Sequence, residues 1–152
     1  MYNLNVKTTT QNILLVGFGE NVFSVKEDMT QYFSGANFQN IDRLADQSSW
    51  LNKNKNGKST QAIICDYDYM VKHDFMFLKN LQNNENMINI PFILINKNNM
   101  PVNVVELLSY GVDDCYSAPI DWTGMKTRVH FLEKYKPFIL AKSDLWDDNP
   151  LQ

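Results

Sequence analysis

The side chains of this chain that could do chemistry stand mostly at the ends of short apolar runs. Asp66 follows Ile63-Ile64-Cys65, with Asp68 close behind it. Gly17-Phe18-Gly19-Glu20 follows Ile13-Leu14-Leu15-Val16, Asn96-Lys97 follows Phe92-Ile93-Leu94-Ile95, and Ser117-Ala118 ends a shorter run. A carboxylate so placed can help hold a hard cation through oxygen ligands. Its plainer role is to accept loop N–H groups and cap the next turn. The Gly17-Phe18-Gly19-Glu20-Asn21 loop partly matches the phosphate-cradling pattern G-x-G-x-x-G, but Val22 stands where the third glycine belongs. No acidic residue clearly ends the second strand either, although Asp42 and Asp46 are near. A tight strand-to-helix turn is the simpler reading. His73 (beside Asp74) and His130 have no partner at metal or triad spacing. Cys65 and Cys115 lie in apolar strand-like runs and read as buried, reduced thiols. Cys65 should point away from Asp66 into packing, which leaves a Cys/His nucleophile pair as the weaker alternative.

Those positions need a scaffold, and the sequence supplies one. Apolar runs at Ile13–Val16, Ala62–Cys65 and Phe92–Ile95 lack polar alternation, as expected of strands covered on both faces of a parallel sheet. A weaker strand is expected around Phe38–Leu44, at an edge, and a last one at Asp114–Ser117. Helical spacing joins Val22, Val25, Met29 and Phe33, with Gly35 as a stop. Trp50 and Leu51 mark a short second helix that ends in the Asn/Lys/Gly stretch 52–58. Phe75, Phe77, Leu78 and Leu81 mark a third. Pro101 opens a fourth, with Val104, Val105, Leu107 and Leu108 inside and Gly111 at its end. Asp121 can cap a fifth that carries Met125, Val129 and Leu132 inward. Strands alternating with helices predict a doubly wound α/β domain whose site lies outside the carboxyl ends of the strands.

Composition narrows the function classes. With 152 residues the chain is one domain with some terminal excess. Its net charge is −3, and its only basic group, Lys53/Lys55/Lys58, offers no surface that tracks phosphates. Nucleic-acid binding by this domain is therefore not expected. The apolar runs fall far short of the ~20 residues of a membrane span, and the polar Met1–Gln11 is no signal peptide. A cytoplasmic protein is expected. The predicted organisation is an N-terminal extension over 1–11, the domain over 12–136 and a C-terminal extension or linker over 137–152. Phe138-Ile139-Leu140 either extends the last helix past a kink or docks on the body, and Asp144–Gln152 reads as a solvated tail.

The nine residues Gly111-Val112-Asp113-Asp114-Cys115-Tyr116-Ser117-Ala118-Pro119 carry a more specific signal. Together with Ile63-Ile64-Cys65-Asp66 and Pro91–Ile95, in that order and spacing, they resemble the response regulator receiver domain over roughly residues 12–135. There the last stretch reads roughly G-A-D-D-Y-[LIV]-[TV]-K-P. The resemblance implies a flavodoxin-like fold: a five-stranded parallel sheet of order 2-1-3-4-5 with five helices. It also implies phosphorylation of an aspartate, which needs an acidic pair after the first strand to hold Mg²⁺, a Thr or Ser after the fourth, a switch aromatic on the fifth and a lysine after it.

Matched position by position, this chain keeps only the acceptor, Asp66. The acidic pair falls on Gly17 and Phe18, the hydroxyl on Asn96, the aromatic on Cys115 and the lysine on Ala118. Tyr116 lies on the opposite face of its strand from Cys115. The resemblance thus implies a degenerate receiver: a non-enzymatic module that acts without phosphorylation. It would dock to itself or to an output domain through the face of the fourth helix, fifth strand and fifth helix. Tyr110, Tyr116 and Trp122 are the candidate contacts. The alternative is a working phosphoacceptor that takes phosphate on Asp66 from a histidine kinase, with Mg²⁺ held by Asp66 and with Glu20 and Asp68 as improvised neighbours. A further alternative is the regulatory part of a larger enzyme, such as a sugar transferase. A nucleotide-binding domain using the Gly17–Glu20 loop is a third class of reading.

Overall fold

A computed structural model describes residues 11–54 and 60–147, with side chains through Phe138. Most of the expected N-terminal extension, Lys55, Lys58 and the end of the tail from Asp148 lie outside the described residues.

Strands β1 (Asn12–Val16), β2 (Asn37–Ile41), β3 (Ala62–Asp66), β4 (Phe92–Asn96) and β5 (Asp114–Ser117) form one sheet in the order β2-β1-β3-β4-β5. Every neighbouring pair is parallel. This is the flavodoxin-like doubly wound sheet that the sequence predicts. The central strands read as unbroken apolar runs because both of their faces are covered. Ile13, Leu15, Ile64, Ile93 and Ile95 pack on one side, while Leu14, Val16, Ile63, Cys65 and Leu94 pack on the other. The second strand is at the edge, as expected, but it ends at Ile41. Only Ile41 of its residues is buried, so little apolar signal marks its extent.

Among the described residues six α-helices accompany the sheet, one more than expected: α1 (Val22–Thr30), α2 (Leu44–Lys53), α3 (Tyr67–Lys72), α4 (Met76–Gln82), α5 (Val104–Ser109) and α6 (Trp122–Asp147). The additional helix is α3. It begins immediately after β3 and buries only Met70, so it has no periodic stripe to announce it. Asp74 and Phe75 then take left-handed conformations (φ 53° and 57°) that separate it from α4. Helix α2 starts at Leu44, well before Trp50. Helices α1 and α6 cover one face of the sheet with Val25, Met29, Met125, Val129 and Leu132. Trp50, Met70, Phe77, Leu78, Leu81 and Leu107 from α2 to α5 cover the other.

The Gly111–Pro119 stretch does structural work at the amino ends of the strands. Asp113 Oδ2 accepts from the Phe92 backbone N–H at 2.8 Å and from Lys136 Nζ at 2.7 Å. Lys136 also donates to the Ile90 carbonyl at 2.8 Å and is only 6% exposed. This largely buried ion pair ties α6 to the start of β4. The helix then runs through Pro137, across the expected boundary at 136/137, with helical backbone to Asp147. No helix among the described residues is long and apolar enough to cross a membrane.

Candidate functional site

Parallel pairing brings the carboxyl ends of β1, β3, β4 and β5 to one rim, where Asp66 lies beside Ile95 and Asn96 beside Ser117. The rim gathers Gly17, Asp66, Asp68, Asn96, Lys97 and Ala118, as the sequence predicts, but most of them have structural occupations.

Asp66 is extended (φ −71°, ψ 128°) and caps α3, its Oδ2 accepting from the Tyr69 N–H at 3.1 Å. Burial raises its pKa above the usual carboxylate value; the Tyr69 N–H and the charge of Lys97 pull the other way, and Asp68 adds to the rise. Lys97 itself sits over the Phe18 ring, 5.8 Å from its centroid. Asp68 accepts from Asn98 Nδ2 at 2.5 Å and so ties the β3 and β4 loops together. Asn96 is 1% exposed and has its amide committed. Its Nδ2 donates to the Met100 carbonyl at 2.8 Å and, more weakly, to Ser117 Oγ at 3.4 Å, while its Oδ1 accepts from the Met100 N–H at 3.0 Å. It is a staple for the β4–α5 loop. Ala118 offers a methyl group where a cation would be needed, and its N–H donates to the Asn96 carbonyl at 3.3 Å. Glu20 lies exposed in a 3-10 turn, Gly19–Asn21, and does not join the cluster.

The feature that sequence reasoning missed is Tyr69. Its ring covers Gly17, whose φ is +81°; a Cβ built there would lie 2.2 Å from Tyr69 Cγ. Behind it the Tyr69 hydroxyl accepts from Nε2 of the buried Gln47, and the ring tilts against His73 with centroids 4.4 Å apart. The residue after Gly17, Phe18, is buried in the α1/α6 core. The rim between β1 and β3 is therefore a packed aromatic joint. Only the lack of a side chain at Gly17, visible in the sequence, could have hinted that a ring fills this place.

The proposed contact residues are scattered. Tyr110 is exposed, but its hydroxyl donates to Glu106 Oε1 at 3.0 Å and its ring packs on Phe75. Tyr116 and Trp122 are half-buried against the α1/α6 core. Burial, with help from Asp114, holds the Tyr116 phenol well above its ordinary pKa and pushes the Cys115 thiol up to about 11. Cys65 is buried and raised for the same first reason, and both thiols are free, so neither is a ready thiolate. Among the described residues, large apolar side chains reach solvent on several elements: Val104, Val105 and Leu108 on α5 and Phe131, Tyr135 and Phe138 on α6, but also Phe23 on α1, Leu44 on α2, Val71 on α3, Met76 on α4 and Met100 before α5.

The raised pKa of Asp66 makes a prediction. A carboxyl group raised by folding contributes stability that is fully present below its unfolded pKa and is lost as pH rises through the folded value. At neutral pH the charged form is thus a burden on the fold. Asp66→Asn keeps a good cap and should raise stability at neutral pH, with the gain fading below about pH 4. Asp66→Ala should instead lose about 1 kcal/mol with the cap. Urea unfolding of both variants at two pH values checks this.

No protein-family model and no curated protein matches the chain. Solved structures do. The signal receiver domain of a two-component histidine kinase from Clostridium thermocellum is similar with a TM-score of 0.64 at 21% identity, over 82% of this chain and 98% of that one. The N-terminal domain of the nisin resistance regulator, a lantibiotic response regulator, matches with a TM-score of 0.61 at 17% identity, over 82% and 98%. The receiver domain of a sensor histidine kinase from Pseudomonas aeruginosa, which has a magnesium ion coordinated in its active site cleft, matches with a TM-score of 0.58 at 18% identity, over 82% and 98%. The residues here do not fit such an ion. Mg²⁺ wants near-octahedral oxygen ligands and dehydrates reluctantly, whereas Gly17 and Phe18 bring no carboxylate and the Tyr69 ring covers the first of them. The strand order, the helix placement and these neighbours together identify the chain's architecture as the fold of the response regulator receiver domain.

Proposed function

We propose that the chain is a receiver-like regulatory module that works by docking to protein, without a phosphorylation cycle and without Mg²⁺. The observation that carries this reading is the Tyr69 ring seated on Gly17, where a metal-holding carboxylate would have to begin. Around it Asp66 is spent as a helix cap, Asn96 as a loop staple, and Ala118 has no charge to offer. Each electrostatic contact missing from a phosphoryl-transfer site costs on the order of 2.7–4 kcal/mol of transition-state stabilisation, so several missing at once leave negligible turnover. Docking would use the solvent-facing apolar residues of α5, where Val105 is 77% exposed, together with β5 and α6. The occupant would be an output domain or a second copy of the chain, in the cytoplasm.

One observation favours a second reading, a phosphoacceptor served by a histidine kinase: the charge of Lys97 is felt at Asp66. An amide NMR titration with Mg²⁺ separates the two. The docking module predicts no saturable shifts at Gly17, Asp66 or Tyr69 up to millimolar Mg²⁺. A saturable millimolar response there would overturn it in favour of the phosphoacceptor.

A further inference from the structure

Strand β2 ends the sheet on one side, and its residues do nothing to protect that edge. Asn37-Phe38-Gln39-Asn40-Ile41 carries no charge and no proline, and it pairs with β1 in unbroken register, without a bulge. Charges, prolines and bulges are the usual devices that keep an edge strand from pairing with another chain. The opposite edge has one: β5 is shorter and carries Asp114.

The hydrogen-bond pattern fixes which groups of β2 are on offer. The Asn37 N–H donates to the Gln11 carbonyl at 2.7 Å, and the Ile41 carbonyl accepts from the Gly17 N–H at 2.9 Å. Backbone groups alternate sides along a strand. Asn37, Gln39 and Ile41 therefore face β1, and the N–H and C=O of Phe38 and Asn40 face outward. Beside this edge, on the α2 side, two cavities of about 310 and 250 Å³ adjoin at Gln39 and Trp50. Asp46, Ser49 and Lys53 of α2 line the second.

We propose that a second copy of this chain adds its own β2 here, antiparallel about a two-fold axis at Gln39, so that two five-stranded sheets become one. The outward groups set that register. With Gln39 opposite Gln39 of the second copy, Phe38 stands opposite Asn40 of the second copy. Each such pair exchanges both N–H···O=C bonds. The Gln39 amide, which donates and accepts, meets its own equivalent on the α2 side. The charges agree with the same axis. Gln39 is level with Ser49 and Trp50, midway along α2 between Asp46 and Lys53. The axis thus turns Asp46 of each copy toward Lys53 of the other. The exposed Arg43–Asp46 pair at 3.2 Å is too weak to hold Asp46 back. This self-complementary charge favours a second copy over an unrelated extended peptide. The pairing goes beyond the docking reading: it uses the edge away from β5 and leaves α5 and α6 to an output domain.

Sedimentation equilibrium of the full chain, from about 1 to about 200 µM without Mg²⁺ or phosphoryl donor, tests this. The wild type should dimerise. Asn40→Pro removes an outward N–H and no bond to β1, so it should abolish the dimer over this range while the urea midpoint stays near the wild type's. Asp46→Lys or Lys53→Asp alone sets like charges together and should weaken the dimer at least about ten-fold. Both substitutions in one chain should restore it to within about three-fold. Should Asn40→Pro fail to fold, this charge exchange still decides. Val105→Glu with Tyr135→Glu, on α5 and α6, should leave the dimer intact. A wild type that stays monomeric, a dimer that survives Asn40→Pro, a double charge variant as weak as the singles, or a dimer broken from α5 and α6 would overturn the pairing.

Discussion

Replacing Lys136 by methionine is expected to cost about 1–3 kcal/mol of stability, because the largely buried Asp113 carboxylate would be left without its cation. The geometry leaves that carboxylate little relief. Its Oδ2 already accepts from the Phe92 N–H, and the Ile90 carbonyl would lose its donor in the same step. Met has nearly the length of Lys, so the loss is electrostatic and not one of packing. Changing both partners, Lys136→Met with Asp113→Asn, should recover a large share of the loss, since the uncompensated charge is gone. Urea unfolding of the two single variants and the double variant gives the coupling directly. A loss below about 1 kcal/mol for Lys136→Met would mean that the pair is solvated in solution.

Gly17→Asp, which restores in name the first residue of a metal-holding pair, should destabilise the protein and bind no Mg²⁺. Two costs combine. A side chain at φ +81° pays roughly 1–2 kcal/mol for the left-handed conformation. The new Cβ also overlaps the Tyr69 ring at 2.2 Å, an overpacking worth roughly 1–3 kcal/mol. The ring cannot swing aside freely, because its hydroxyl is held by Gln47 and its other face rests near His73. In a Tyr69→Ala background the overlap vanishes while the backbone cost stays. Gly17→Ala should therefore hurt less there than in the wild type. Equal losses in the two backgrounds would contradict the aromatic joint.

Much of this architecture was legible because β1, β3 and β4 are buried on both faces, which writes them as runs such as Phe92–Asn96. Edge strand β2 buries only Ile41, and α3 buries only Met70, so the first was placed loosely and the second was missed. At the rim, the absence of a carboxylate at Gly17 and Phe18 and of a cation at Ala118 could be read from residue types alone. What replaced them could not. Tyr69 reaches Gly17 across the gap between β1 and β3, a contact that no local spacing encodes. Lys136 falls in line with the Met125, Val129, Leu132 stripe, but a lysine carries no apolar signal to mark its burial, and Asp113 as its partner required the fold. Tyr110 was named as a candidate contact from its place beside the fifth strand, and its hydrogen bond to Glu106, one turn earlier on α5, emerges only with the structure.

The central claim is that Asp66 no longer takes a phosphoryl group. Intact-mass spectrometry after incubation with acetyl phosphate and Mg²⁺, with Asp66→Asn alongside, tests it most directly. The account predicts an unchanged mass for both proteins, with the fold intact by circular dichroism. A Mg²⁺-dependent gain of one phosphate in the wild type, absent from the variant, would contradict it and restore a signalling receiver with an unusual site.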